Sequence, residues 1–87
     1  MSHHTYRTQG TCSRAIDFDV TDDGCLTGVR FTGGCNGNLQ GIARLVEGQP
    51  LERVAALLAG VNCNGKGTSC PDQLAKACLL AKASRQL

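Results

Sequence analysis

The chain has 87 residues, which predicts one domain with a limited, mostly aliphatic core. Nine Lys and Arg residues against seven Asp and Glu residues give a net charge of +2, without the basic stripe or stacking aromatics typical of nucleic-acid binding. No apolar stretch reaches the ~20 residues of a membrane helix and no signal peptide opens the chain, so the sequence predicts a cytoplasmic protein away from membranes.

The first third of the chain predicts a small antiparallel sheet of two or three strands. Residues 5–20 and 25–32 are the predicted strands, and Thr5–Thr8 adds an edge strand. The alternating positions expected on one face are Ile16, Phe18 and Val20, followed by Cys25, Thr27, Val29 and Phe31. A turn over residues 21–24 ends in Gly24, which accepts a positive φ. Residues 1–4, with His3 and His4, are expected to be a disordered terminus, which leaves residues 5–87 as the domain.

The remainder predicts three helices. The first is capped by Asn38 and ends at Gly48, and the second begins after Pro50 and ends at Gly60. Ser69 is the expected cap of the last helix, with Pro71 in its first turn and Asp72 at the acidic position of a capping box. The apolar stripes expected to be buried are Leu39, Ile42, Ala43 and Val46; Leu51, Val54, Ala55 and Leu58; and Leu74, Ala75, Cys78 and Ala81. Strands followed by helices predict an α+β fold, with the helices packed on the sheet.

Six cysteines are a high count, and their surroundings divide them into two groups. Cys78 lies on an apolar helix stripe and Cys25 begins a strand, so both are interpreted as structural. Of the other four, Cys35, Cys63 and Cys70 lie in polar, glycine-rich loops, where sites are usually placed, and Cys12, ahead of the alternating strand, is the candidate for a fourth ligand. In a reducing compartment clustered thiols indicate metal or redox chemistry, and the sequence therefore predicts a site for Zn²⁺ or for an iron–sulfur cluster.

The spacing of these four cysteines does not identify the chemistry. Intervals of 22, 27 and 6 residues separate them, whereas zinc knuckles usually place two cysteines two to four residues apart. A thiol redox pair and unrelated structural cysteines remain alternatives. Cys70 opens a helix, whose free N–H groups favour a thiolate, and Lys66 is close in sequence. The turn over residues 33–38 also has the form of an anion cradle, although a tight turn with a helix cap explains it more simply.

The string Thr68-Ser69-Cys70-Pro71-Asp72 resembles the signature of the TSCPD domain. Further matching segments are Thr11-Cys12-Ser13, residues 31–39, residues 41–48 and residues 63–74, so the resemblance extends from about Tyr6 to Leu80. It implies a cysteine site suspected of binding metal. The domain also occurs at the C-terminus of some vitamin B12-dependent ribonucleotide reductases, which implies a link to that system and to DNA synthesis.

The resemblance favours an accessory role over catalysis. Related sequences carry the label ribonucleoside-diphosphate reductase, but a chain of this length cannot build a catalytic barrel, a radical source and a nucleotide pocket. We expect a non-catalytic metal-binding or interaction domain, whose partner is a ribonucleotide reductase or another protein. A second copy of the chain is a further expected partner, since a small core gains from such support.

A weaker resemblance concerns iron–sulfur scaffold proteins of the NifU/IscU type. The order of strands and helices is similar, and Cys35, Cys63 and Cys70 resemble the three cluster cysteines of that family in sequence order. An iron–sulfur scaffold or thiol carrier is thus the first alternative function. The second is an oxidoreductase subunit that delivers electrons through a cysteine pair.

Overall fold

The computed structural model has a three-stranded antiparallel sheet followed by three helices, the α+β arrangement that the sequence predicts. It describes residues 1–11, 13–34, 36–61 and 67–85. The strands are β1 (Ser2–Arg7), β2 (Ser13–Val20) and β3 (Leu26–Gly33), and their order in the sheet follows the chain. The helices are α1 (Asn36–Val46), α2 (Leu51–Leu58) and α3 (Cys70–Arg85).

The helices cover one face of the sheet and bury its apolar side chains. Contacts join α3 to β2, α2 to α3, and α1 to β3. The core is formed chiefly by Ile16, Phe18, Val20, Leu26, Val29, Leu51, Val54, Leu74 and Cys78. The predicted stripes of α2 and α3 face this core, although Leu58 is only half-buried. Within the described segments, no helix has the length and apolar character needed to cross a membrane.

Two register shifts interrupt the pairing of β2 with β3. Asp17 pairs with Arg30 and Asp19 with Thr27, so β3 has one extra residue between these pairs. Gly28 lies there with a φ of +64°, the left-handed conformation found in the glycine type of β-bulge. The strict alternation predicted for residues 25–31 is therefore wrong: Leu26 is the buried residue where Cys25 and Thr27 were expected, and Val29 resumes the inward face.

The amino-terminal residues form part of the sheet, which corrects the prediction of a disordered terminus over residues 1–4. Strand β1 begins at Ser2 and pairs with β2 along its whole length. His3 Nδ1 lies 2.9 Å from a carboxylate oxygen of Asp19, and the ring of His4 stacks on Phe18 with centroids 5.3 Å apart. These side-chain contacts hold the terminus against β2.

The α1–α2 connection closes against the start of β3. The Leu26 N–H donates to the Gln49 carbonyl at 2.8 Å, and the Gly48 N–H donates to the Leu26 carbonyl at 2.7 Å. Glu47 accepts the Gly28 N–H at 2.9 Å and the Thr27 hydroxyl. Helix α1 itself begins at Asn36, so Asn38 lies inside the helix and is not its cap as predicted.

Candidate cysteine site at the start of α3

Cys70 is the first residue of α3, and the local sequence explains why the helix begins there. The Ser69 hydroxyl accepts the Asp72 N–H at 3.1 Å, which is the predicted N-cap. Pro71 follows in the first turn, where its missing N–H costs no hydrogen bond. The same Ser69 hydroxyl donates to the Val61 carbonyl at 2.5 Å. The residue that caps α3 thus also holds the segment after α2 in place, through its hydrogen bond to Val61.

The Cys70 sulfur faces Ser13, at the start of β2. Ser13 Oγ lies 3.0 Å from Cys70 Sγ, and Ser13 is only 2% exposed. Alternation along β2 would direct position 14 inward with Ile16 and Phe18. The second register shift, between Ser13 and Ala15, changes this, so Ser13 is buried and Arg14 is exposed. The bulge therefore directs a hydroxyl at the cysteine.

Asp72 connects the first turn of α3 to the end of α2. Its carboxylate accepts the Gly60 N–H at 2.7 Å and the Thr68 hydroxyl at 2.5 Å, and Lys76 Nζ lies 3.3 Å away. The Thr68 hydroxyl first, then the Gly60 N–H and Lys76, hold the pKa of Asp72 below its usual value despite the opposing effect of burial. Both carboxylate oxygens have hydrogen-bond partners. Asp72 therefore joins α3 to the end of α2, in addition to stabilising the start of its own helix electrostatically as predicted.

Gln73 connects α3 to the loop between β1 and β2. Its side-chain oxygen accepts the Gln9 N–H at 3.1 Å, and its side-chain NH₂ donates to the Thr68 hydroxyl at 3.0 Å. Gln73 is 3% exposed. A buried side-chain amide with partners on both of its polar atoms holds the two segments that it joins in one arrangement. We call Ser13, Thr68, Ser69, Cys70, Asp72 and Gln73 the Cys70 cluster.

The other three predicted ligands, Cys12, Cys35 and Cys63, lie outside the described residues, as does Lys66. Their described neighbours in sequence nevertheless meet at the Cys70 cluster. Ser13 follows Cys12 and contacts Cys70. A Cβ placed on Gly34, which precedes Cys35, would lie 3.2 Å from the Ser13 backbone nitrogen, so these two backbones are in close contact. Val61, two residues before Cys63, binds Ser69.

The described part of the chain contains no group of three or more His, Cys, Asp and Glu side chains arranged to hold a metal ion. Three of the four predicted ligands are not in that part, so the metal site stays a prediction. The sulfur of Cys70 is the one predicted ligand atom whose surroundings the structure gives.

Cys78 lies where the sequence predicts for a structural residue, whereas Cys25 precedes β3 instead of beginning it. Cys78 is fully buried in the core, and burial raises the pKa of its thiol to about 12, which keeps it protonated and unreactive. Cys25 is half-buried and its backbone forms an isolated bridge with Pro50. Neither thiol belongs to the Cys70 cluster.

The sequence predicts no role for three members of the cluster, Ser13, Thr68 and Gln73. Ser13 and Thr68 stand out only as parts of matching motifs, and the bulge that buries Ser13 has no clear signal in the sequence. Gln73 follows the signature directly and occupies a buried position on a helix. A buried amide usually marks a hydrogen-bonded contact between segments, and this could have indicated its role.

The fold and the cluster define a class: a small α+β domain with a cysteine held at a helix start by a buried polar network. The chain matches the family model described as the TSCPD domain over residues 2–82, and it belongs to that family. Searches of curated proteins and of solved structures found no match. The likeness to NifU/IscU-type scaffolds therefore stays a prediction.

Proposed function

We propose that this protein is a metal-binding accessory or interaction domain in which Cys12, Cys35, Cys63 and Cys70 bind one Zn²⁺ ion. The proposal links it, through its family, to ribonucleotide reduction. The observation that supports the metal site is the convergence of described segments on the Cys70 cluster, since each of the other three cysteines is adjacent or nearly adjacent in sequence to a residue of those segments.

The donor set around Cys70 suits a thiolate-bound metal. A thiolate at the first position of a 16-residue helix is near N–H groups without helical partners. The Ser13 hydroxyl lies at hydrogen-bonding distance and is able to donate to the sulfur. Hydrogen bonds of this kind orient metal-bound ligands and are usual around protein metal sites. The carboxylate of Asp72, in contrast, is already occupied by other donors, so a fourth ligand from the cysteines fits better than one from Asp72.

Four cysteine thiolates would make a closed tetrahedral site. A closed site leaves no position for water or substrate, and zinc in such a site supplies folding energy instead of catalysis. This supports an accessory role and not an enzyme acting alone. The proposal also places the protein in a reducing compartment such as the cytoplasm, where the thiolates stay available.

Elemental analysis of the untagged protein tests the metal site. We expect about one zinc per chain, as a four-cysteine site requires. Cys70→Ser should lose most of this metal, whereas Cys25→Ser, at a half-buried cysteine outside the cluster, should retain it. Iron with acid-labile sulfide would favour the scaffold alternative. Redox turnover with a thioredoxin-type reductant would favour the electron-carrying alternative.

The partner needs a separate test, because metal content says nothing about it. A purified vitamin B12-dependent ribonucleotide reductase from the same source is the partner to use. We expect a complex that survives gel filtration with the metal-loaded protein and is weakened by Cys70→Ser. If the reductase forms no complex with the metal-loaded protein or with Cys70→Ser, the link to ribonucleotide reduction is wrong, while the metal site stands.

A further inference from the structure

Asp72 contributes more to this structure than its place in the first turn of α3 requires. The helix is already capped, since the Ser69 hydroxyl accepts the Asp72 N–H. In a capping box the side chain of the third residue would bind the backbone N–H of the cap. The Asp72 carboxylate instead accepts the N–H of Gly60, twelve residues earlier, and is only 5% exposed.

Thr68 links Asp72 to Gln73 through a single hydroxyl. That hydroxyl donates to Asp72 and accepts from the Gln73 side-chain NH₂, and Gln73 in turn accepts the Gln9 N–H. An unbroken series of hydrogen bonds therefore runs from Gly60 through Asp72, Thr68 and Gln73 to Gln9. We call it the Thr68 hydrogen-bond chain. Gly10, next to Gln9, also lies against Thr68: a Cβ built on Gly10 would be 3.2 Å from the Thr68 methyl group.

The two ends of this chain are placed symmetrically with respect to the cysteines in sequence. Gln9 lies three residues before Cys12, and Gly60 lies three residues before Cys63. Its middle belongs to the turn that leads into Cys70. The hydrogen bonds at Asp72 are charge-assisted, because its carboxylate accepts the Gly60 N–H and the Thr68 hydroxyl and lies 3.3 Å from Lys76 Nζ. Such bonds are stronger and more directional than bonds between neutral groups.

We propose that the Thr68 hydrogen-bond chain is a positioning element that holds the segments leading to Cys12 and Cys63 in register with Cys70, without ligating the metal itself. This inference rests on the proposed metal site. It assigns Thr68, Asp72 and Gln73 of the family signature region a common role, which is to set the distances between thiols.

Thr68→Val is the sharpest test, because valine is close in shape to threonine but removes the shared hydroxyl. Thr68→Ser keeps the hydroxyl and is the conservative variant. We expect Thr68→Val to weaken zinc binding about 10- to 100-fold in chelator competition, the range for lost hydrogen bonds next to metal ligands. Thr68→Ser should stay within about threefold of the unchanged protein, well below that range.

A loss of stability alone could also weaken metal binding, so a core variant is needed. Val54→Ala removes buried apolar contacts in α2, and the Val54 side chain makes none of the hydrogen bonds of the chain. If the proposal is correct, Val54→Ala lowers the unfolding midpoint but leaves the zinc affinity of the folded protein unchanged. An equal loss of affinity in Val54→Ala and Thr68→Val would overturn the positioning role.

A metal-free measurement separates this inference from the proposed function. Phenylarsine oxide bridges two thiols that lie close together, and peptide mass spectrometry identifies the pair. In the unchanged protein we expect bridging of Cys70 with Cys12 or Cys63, and about tenfold slower bridging in Thr68→Val, the lower end of the effect expected on zinc.

The outcomes are distinct. Bridging that slows in Thr68→Val without any zinc binding would retain the positioning role and remove the zinc site. Bridging at the same rate in both proteins would overturn the positioning role, whatever the metal content. No bridging in the unchanged protein would overturn both. If Thr68→Val does not fold, Gln73→Glu, which keeps an acceptor for Gln9 but loses the donor to Thr68, replaces it in the same comparison.

Discussion

Replacing Ser69 by alanine should measure how much the start of α3 contributes to stability. The substitution removes two hydrogen bonds: the cap to the Asp72 N–H at 3.1 Å and the bond to the Val61 carbonyl at 2.5 Å. Loss of a serine cap costs about 1 kcal/mol, within a range of about 0.5–2. The bond to the Val61 carbonyl is only partly buried, so its loss adds the low end of a usual hydrogen-bond contribution, about 0.5 kcal/mol.

We therefore expect Ser69→Ala to lower the free energy of unfolding by about 1.5 kcal/mol. For a domain of this size, that corresponds to a fall in Tm of roughly 6–12 °C. Urea denaturation followed by circular dichroism, at matched metal content, is the measurement. Ser84→Ala is the matched control, since Ser84 is exposed in the same helix and alanine is a slightly better helix former there. A loss below about 0.5 kcal/mol, the usual size of a neutral surface change, would refute the capping argument.

Three further predictions concern the acid, the buried thiol and one glycine. Thr68 and the Gly60 N–H lower the folded pKa of Asp72, so its stabilising effect is complete above its unfolded pKa of ~3.9 and is lost as the pH falls through the folded pKa. Denaturation curves should therefore show a stability difference between the unchanged protein and Asp72→Asn that shrinks on acidification. A difference that stays constant with pH would contradict this. Cys78→Ala should keep the metal content and cost on the order of 1 kcal/mol, and alkylation of Cys78 should require unfolding. Gly34→Ala should destabilise by about 1–3 kcal/mol in the same urea assay, because its φ is +87° and a Cβ would lie 3.2 Å from the Ser13 backbone nitrogen. Gly37→Ala is the control, since Gly37 lies in α1 and a Cβ added there would have no atom within 4 Å. It should be neutral or stabilising, and equal effects of the two alanine substitutions on stability would contradict the argument.

The sequence predicted the fold class because its local signals agree with one another. Alternation in β2, the Gly24 turn and the apolar stripe of α3 each specify an element independently of tertiary contacts. The Ser69 cap was predictable for the same reason, since the hydroxyl, the proline and the acid lie within four residues of sequence.

The details around the candidate site depend on contacts between distant segments. The bulges at Gly28 and near Ser13 arise from the pairing of two strands, so neither strand's sequence alone gives the shift. Asp72 was predicted to act on its own helix end, but its partner Gly60 comes from another helix's end. The prediction of a disordered terminus over residues 1–4 was wrong for a related reason, because β1 is held by residues of β2 that lie far along the chain.

The contact between the α1–α2 connection and β3 has a consequence for association of this protein with itself. The unpaired edge of a strand is a template for another molecule's strand. In this sheet β3 is an edge strand, and the first half of its free edge is occupied by hydrogen bonds to residues 47–49. Those bonds belong to the helical layer, not to the sheet. Local opening of α1 would therefore expose the edge while the sheet is still intact. The tendency to aggregate should follow the frequency of that local opening more closely than the stability of the whole domain.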